Sequence, residues 1–245
     1  MYKSGLKFAE CVCEGHPDKM SDIISDSILD EYLEHDRLAR VACEVIVAKN
    51  MIVIAGEFSS THRIDYSSLV RKILKDIGYN SIQKGMSPDD CDIIVSTSEQ
   101  SKNIQNAIIP SHDLSFEDIK AGDQSIVVGY AAKNDTGMIP PETFYAKKIV
   151  MEIDRKRKDG SIPYLWPDGK VLFSLQYQNG VPTKAHTIII SAQHEPDISY
   201  ETIKRDLTEG VVHDCVPSHL LSRETLLIIN PPTNTSANYE KLKEG

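Results

Sequence analysis

The sequence Glu14-Gly15-His16-Pro17-Asp18-Lys19 places an imidazole and a carboxylate where a short loop runs into a helix. A helix N-terminus offers unpaired backbone N–H groups and the positive end of a dipole, so an anion such as phosphate can dock there. His16 adds a donor, Gly15 permits close backbone approach, and Asp18 is an oxygen ligand of the kind that holds Mg²⁺ beside phosphates. Ordinary helix capping, with Asp18 complementing the dipole, accounts for the same residues. Glu44 and Glu57 interrupt apolar strand runs. On a buried face they need a cation or an ammonium partner, whereas on a hairpin with one wet side they are simply solvated. Asp168-Gly169-Lys170 precedes a strand and can deliver a lysine to a phosphate, although Asp-Gly is also a common turn pair.

The elements that must position these groups are legible from periodicity. Met20, Ile23, Ile24, Ile28 and Leu33 recur at helical spacing over residues 17–36, with Pro17 suited to a first helical position. Residues 41–48 and 51–58 are β-branched, apolar runs joined by Lys49-Asn50, a hairpin. Asp65 caps a second helix lined by Leu69, Ile73, Leu74 and Ile77 and ended by Gly78, and a strand follows at 91–96. A polar stretch at 98–123 lacks periodicity and reads as a lid. The pattern then restarts with a helix from Pro141 to Lys158 closed by Gly160 and strands at 170–177 and 184–193 around Asn179-Gly180. A helix at 199–215 and a strand at 225–229 complete it. Helix, hairpin, helix and strand thus occur twice in the same order, which predicts a duplicated domain. Beyond residue 231 the chain reads as a tail.

The chain has 245 residues, 40% of them hydrophobic and 26% charged, which suits a globular α/β protein of two domains. Its formal charge of −9 argues against nucleic acid or an anionic membrane as partner, so any phosphate must meet a local site. Apolar runs fall far below the roughly 18 residues of a membrane span, and the first ten residues show no signal-peptide core. The five scattered cysteines predict a reducing, cytoplasmic setting; Cys11-x-Cys13 alone lacks the further ligands of a zinc site.

Taken in order, these segments resemble the methionine adenosyltransferase (S-adenosylmethionine synthetase) family. Residues 14–19 read as its N-terminal signature. Arg40-Val41-Ala42-Cys43-Glu44, Gly56-Glu57, Ile77-Gly78-Tyr79, Glu99-Gln100-Ser101, Ala121-Gly122-Asp123-Gln124, Gly129-Tyr130-Ala131 and Pro167-Asp168 through Lys170 continue it. Residues 191–194 and Ile229-Asn230-Pro231 carry it toward the tail. Several blocks in order outweigh any one motif.

The resemblance implies an α+β fold of two repeated domains, each a mixed sheet with helices on one face, out of the usual three. The bounds are 1–104 for the N-terminal domain, 117–231 for the central domain and 232–245 for a tail. It implies that methionine sulfur attacks C5′ of ATP and displaces triphosphate, which is then split, with Mg²⁺ and K⁺ assisting. His16 and Lys170 would be catalytic, and His16, Asp168 and Lys170 would meet ATP. Asp18 would bind Mg²⁺ and Glu44 K⁺, Glu57 and Gln100 would contact methionine, and Asp123 would lie beside the substrate. Family active sites lie between two subunits, so a homodimer, or a heterodimer with a synthetase subunit, is expected. His16, Asp18 and Glu44 should then cluster, with Asp168 and Lys170 far from them within one chain.

The family continues after the Asn-Pro stretch with a glycine-rich segment and a third domain bearing further ATP contacts, none of which occurs in this sequence. Trp166 stands where an arginine is usual, Ser101-Lys102-Asn103 replaces the usual start of the lid, and Ser125, Val127 and Val128 replace a glycine and bulkier residues. These departures leave a second expectation open: a non-catalytic paralogue that dimerises with a full-length synthetase and modulates it. A bare nucleotide or methionine binder is a third.

Overall fold

The computed structural model describes residues 4–99 and 124–230. Gln100, Asp123, most of the 98–123 stretch and the tail lie outside the described residues. Two compact units divide the chain. One comprises the described residues of Met1–Met20, Asp76–Asn80 and Ala131–Gly245, the other those of Ser21–Lys75 and Ser81–Tyr130.

The helix α1 (Pro17–His35) begins in the first unit and continues into the second. It buries Met20, Ile24, Ile28 and Tyr32, a stripe at four-residue steps. In the second unit β2 (Arg40–Ala48) and β3 (Met51–Ser59) form the antiparallel hairpin, turned at Asn50 with φ 53°. β4 (Asp92–Glu99) lies parallel to β3, giving the order β2-β3-β4. The parallel pairing requires a crossover, which α2 (Tyr66–Ile77) supplies. Asp65 caps α2 by accepting from the Ser68 N–H at 3.1 Å, and Val70, Ile73, Leu74 and Ile77 form its buried face, with Leu69 only half-buried. Tyr32 of α1 stacks on Phe58 of β3 at 5.6 Å and shares a hydrogen bond with Tyr66 of α2 at 2.7 Å. The helices therefore cover the face bearing Ile52, Ile54 and Phe58.

In the first unit α3 (Pro141–Lys158) packs Ala146, Ile149, Val150 and Ile153 against Val171, Phe173 and Leu175 of β5 (Leu165–Gln178) and Ile188 and Ile190 of β6 (Val181–His194). The β5–β6 hairpin turns at Asn179 and Gly180, both with positive φ as a type I′ turn requires. β7 (Leu226–Ile229) lies parallel to β6, repeating the arrangement of β4 beside β3. The fold is thus α+β with two repeats of one topology, as the duplicated element order predicts.

Two features depart from the sequence expectation. A further strand, β1 (Gly5–Val12), pairs antiparallel with β5 and makes the sheet order β1-β5-β6-β7. The helix expected at 199–215 is interrupted: α4 (Tyr200–Leu207) passes into a π turn at Thr208–Val212 before a last turn at His213–Cys215. The π turn lengthens one turn by a residue, so Val211, Val212 and Cys215 still reach the core that holds Ile203 and Leu207.

The loop after β1 is fastened to β5 by main-chain bonds, Cys13 N–H to Gly169 O at 2.8 Å and Gly15 N–H to Pro167 O at 3.1 Å. A Cβ on Gly15 would sit 2.4 Å from Pro167 Cβ and 2.6 Å from its backbone. Gly15→Ala is therefore expected to destabilise the fold by about 1–3 kcal/mol, as overpacking does. Gly129→Ala, whose Cβ would meet nothing within 4 Å, should change stability by less than about 0.5 kcal/mol. Urea unfolding midpoints for the two variants check this, and equal effects would mean that the loop gives way.

Candidate active site

α1 starts with Pro17 as its first residue, and the Met20 N–H already donates to the His16 carbonyl at 2.9 Å. The Asp18 N–H donates to His16 Nδ1 at 3.2 Å. His16 thus caps the helix with Nδ1, which fixes the tautomer of the neutral ring and leaves Nε2 as its N–H donor. Asp18 is largely exposed, with Oδ2 3.7 Å from His16 Nδ1.

Because Val12 pairs with Lys170 and the 13–15 loop follows β5 back to Pro167, His16 arrives beside Asp168. His16, Asp168, Gly169 and Lys170 line one open cavity of about 470 Å³ with Ser191, Gln193 and His194 of β6 and Asn230 after β7. That volume suits a small ligand. The expectation that Asp168 and Lys170 lie far from His16 within one chain is thereby corrected. The β1–β5 pairing, absent from the sequence reading, is what joins them.

Asp168 is the electrostatic centre of the cavity. Burial pushes its carboxyl above the ordinary carboxylate range, the nearby Asp18 charge adds to this, and His16 and the Gly169 N–H oppose it without overcoming it. Its own N–H reaches Gln193 Oε1 at 3.4 Å. Lys170 is half-exposed and pairs with Glu10 at 2.7 Å, a surface contact worth about 0–1 kcal/mol and readily exchanged for another anion.

The strand around Asp168 is held on both sides. Asn230, at φ 43°, accepts from the Ala192 N–H at 2.7 Å and donates to the Ala192 carbonyl at 3.1 Å, continuing the β7–β6 ladder with its side chain. A Cβ on Gly169 would lie 2.9 Å from Cys13 Sγ. Burial pushes the Cys13 thiol well up, so Cys13 is packing material here and not a ligand or a nucleophile.

Glu44 and Glu57 occupy the second unit. Both are exposed and point from the sheet face opposite Ile52 and Ile54. The register Ala42↔Glu57 and Glu44↔Ala55 makes them diagonal neighbours, about 7–8 Å apart by sheet geometry. Of the two positions that the sequence allows, the solvated one is found.

Residues that spacing alone did not single out include Ser191, Gln193, His194 and Asn230, whose segments carry the family resemblance but had no assigned role. Asp154 and Arg157 are others. Asp154 accepts from the Glu14 N–H at 3.1 Å, and Arg157 pairs with Asp154 at 3.1 Å and donates to the Ile77 carbonyl at 2.7 Å. Tyr79 donates to the Gly15 carbonyl at 2.6 Å. Together they fix the loop that carries His16.

Comparison with known proteins bears on this arrangement directly. The family described as S-adenosylmethionine synthetase, N-terminal domain, matches residues 5–102, and that described as S-adenosylmethionine synthetase, central domain, matches residues 118–235. An S-adenosylmethionine synthase of Desulforudis audaxviator (strain MP104C) is 40% identical over 230 residues, which are 91% of this chain and 58% of that protein. The chain thus spans less than two thirds of the length of that relative. Two domain matches in chain order, on two repeats of one topology, show that the chain belongs to the S-adenosylmethionine synthetase family.

Proposed function

We propose that this chain provides the phosphate- and metal-binding part of a methionine adenosyltransferase site, forming S-adenosylmethionine from ATP, L-methionine and water with release of phosphate and diphosphate. The observation that carries this reading is the convergence of His16, Asp168 and Lys170 on one cavity at a helix N-terminus. In that reaction a neutral sulfur displaces a leaving group with several negative charges, so the barrier falls when donors already face the departing oxygens. His16 offers Nε2–H and Lys170 its ammonium once released from Glu10. The first-turn amides of α1 add their dipole.

Asp168 and Asp18 are hard oxygen donors, and a carboxyl whose ionisation burial opposes is relieved by a divalent cation, so the pair fits Mg²⁺. Bound there, Mg²⁺ would neutralise phosphate charge. Glu44 is the proposed K⁺ ligand and Glu57 the proposed partner of the methionine ammonium; Gln100 and Asp123 complete the substrate contacts by resemblance. The domain bounds 1–104 and 117–231, with a tail at 232–245, accompany this reading. A second synthetase subunit is the proposed cover for exposed apolar groups on the open sheet faces, among them Ile46 and Ile94 in one unit and Leu6 and Phe8 in the other. A cytoplasmic setting fits five unpaired cysteines. Among the described residues no helix is long and apolar enough to cross a membrane.

Few cations line the cavity, and Trp166 stands where the family resemblance places arginine. These features favour a companion reading in which the chain acts only with a polypeptide that supplies the remaining ATP contacts, or modulates such a partner. S-adenosylmethionine formation at saturating ATP, methionine, Mg²⁺ and K⁺, followed by chromatography, separates the outcomes. The 245-residue chain by itself should remain near background. The third repeat of a synthetase, added in trans, should raise turnover, and His16→Ala should then lower it about 100-fold to 1,000-fold. Turnover of about 1 per second or faster by the chain alone would show that the cavity suffices.

The Asp168 shift gives a second expectation. A carboxyl with its folded pKa raised above the unfolded value of about 3.9 binds its proton more tightly when folded, so stability falls as pH rises between the two values and stays lowered above both. Without Mg²⁺, Asp168→Asn should therefore melt higher than the parent near pH 7, with the difference vanishing toward about pH 4, while affinity for Mg²⁺-ATP drops. A variant that melts lower than the parent at pH 7 would mean that the carboxylate is already compensated.

A further inference from the structure

At the C-terminal end of α1 and in the loop between β3 and α2, both in the second unit, two imidazoles and a carboxylate meet. Glu31 and His35 stand one helical turn apart on α1, and His62 comes from the loop. One nitrogen of each imidazole and one Glu31 carboxylate oxygen lie within 4.8 Å of one another. Glu31 Oε1 is 3.8 Å from His62 Nε2 and 4.0 Å from His35 Nδ1. We propose that Glu31, His35 and His62 form a binding site for a divalent transition cation of the zinc class, independent of the ions that the adenosyl-transfer reaction uses.

The loop does not present His62 by chance of a floppy segment. Asp36, just past α1, accepts from Ser60 Oγ at 2.8 Å and from the Thr61 N–H at 3.0 Å. His62 also packs edge-on against Tyr32 at 6.5 Å. The protein thus anchors the residues just before His62 to the residue just after His35 before any ion arrives, which limits the ordering that binding requires.

His35 Nδ1, 4.0 Å from Glu31 Oε1, also lies 3.0 Å from the Glu31 carbonyl, so metal binding at Nδ1 exchanges that main-chain contact for the ion. The His35 and His62 rings stack at 4.0 Å and 5°, which keeps the two imidazoles side by side. Two imidazoles and one carboxylate select zinc-like ions over Mg²⁺ or Ca²⁺, which prefer oxygen throughout.

Metal–ligand distances of about 2.0–2.2 Å require the donors to draw closer than they stand and the rings to fan out of their stack. The side chains are 27–46% exposed, which leaves room for that rotation and for a water in a fourth position. The bound ion would tie the end of α1 to the loop entering α2, at the rim of the cleft that Tyr32, Phe58 and Tyr66 share with His62.

The test is calorimetric titration of the tag-free 245-residue chain with Zn²⁺ at saturating Mg²⁺, paired with thermal melting. One Zn²⁺ per chain and a higher melting midpoint are expected. His35→Ala and His62→Ala should each weaken binding by more than the roughly 10-fold to 100-fold lost with outer-sphere partners, and Glu31→Gln should weaken it with little change of shape. His213→Ala, on an exposed site elsewhere, should bind as the parent does. Zn²⁺-free melting of each variant reports whether it is folded, and Glu31→Gln decides the matter if an alanine variant is not. No saturable Zn²⁺ binding, or binding undiminished in the folded variants, would overturn the proposal.

Discussion

The candidate site in the first unit depends on a main-chain clasp between the 13–15 loop and β5. The Cys13 and Gly15 amides donate to the carbonyls of Gly169 and Pro167, and that contact distance is possible only because Gly15 has no side chain. Loosen the clasp and His16 no longer faces Asp168, and Lys170 loses its place opposite Val12. A buried charge pair backs it. Asp154 and Arg157 are at most a tenth exposed, and burial raises the Asp154 carboxyl even with Arg157 and the Glu14 N–H lowering it. Desolvation therefore exceeds the attraction between them, and Arg157 Nε has no partner among the described residues. Such a pair contributes little net stability but punishes any arrangement that separates its members. Its value lies in specifying one position for the loop.

The same unit shows how a repeated topology comes to have unequal faces. In both repeats a hairpin is followed by a helix and a third strand parallel to the second, so the helices gather on one side. The first unit adds β1 at the free edge, leaving Leu6 and Phe8 exposed on the side away from Val171, Phe173 and Leu175. In the second unit the open side carries Glu44, Ile46, Glu57 and Ile94. Carboxylates among apolar groups on an open sheet are a poor core and a serviceable surface for a charged ligand and a partner.

Much of this was legible in the chain. The four-residue stripe of α1, the Asp65 cap, the Asn179-Gly180 turn and the order of elements all follow from local rules that act within a few residues. β1 did not follow, since Leu6, Phe8, Ala9, Cys11 and Val12 keep no clean alternation and the partner strand begins at Leu165. Asp154 and Arg157 sit in a run of charges at the end of α3 that resembles any solvated helix end, and only the tertiary fold buries them. The π turn escaped for a related reason: its backbone follows the core demands of Val211 and Val212, and not a pattern in the sequence. Likewise His16 and Asp168 are brought together by strand pairing, about which residue spacing is silent.

The loop before α1 also dissolves an opposition that the sequence posed. Helix capping and anion binding looked like rival accounts of Glu14 through Lys19, yet capping through one nitrogen of His16 leaves the other open for the proposed anion contact. Nδ1 accepts from the Asp18 amide and so satisfies one of the helix's free N–H groups. That bond orients the ring and forces the proton of the neutral tautomer onto Nε2, the atom left to meet a ligand. The cap is therefore the means by which the donor is aimed. Neighbouring Asp168 is held in the opposite condition, a carboxyl that burial disfavours as an anion. A ring with its N–H directed away from the helix and a carboxyl disfavoured as an anion thus share one cavity wall, which is the arrangement that the proposed phosphate and Mg²⁺ roles would use.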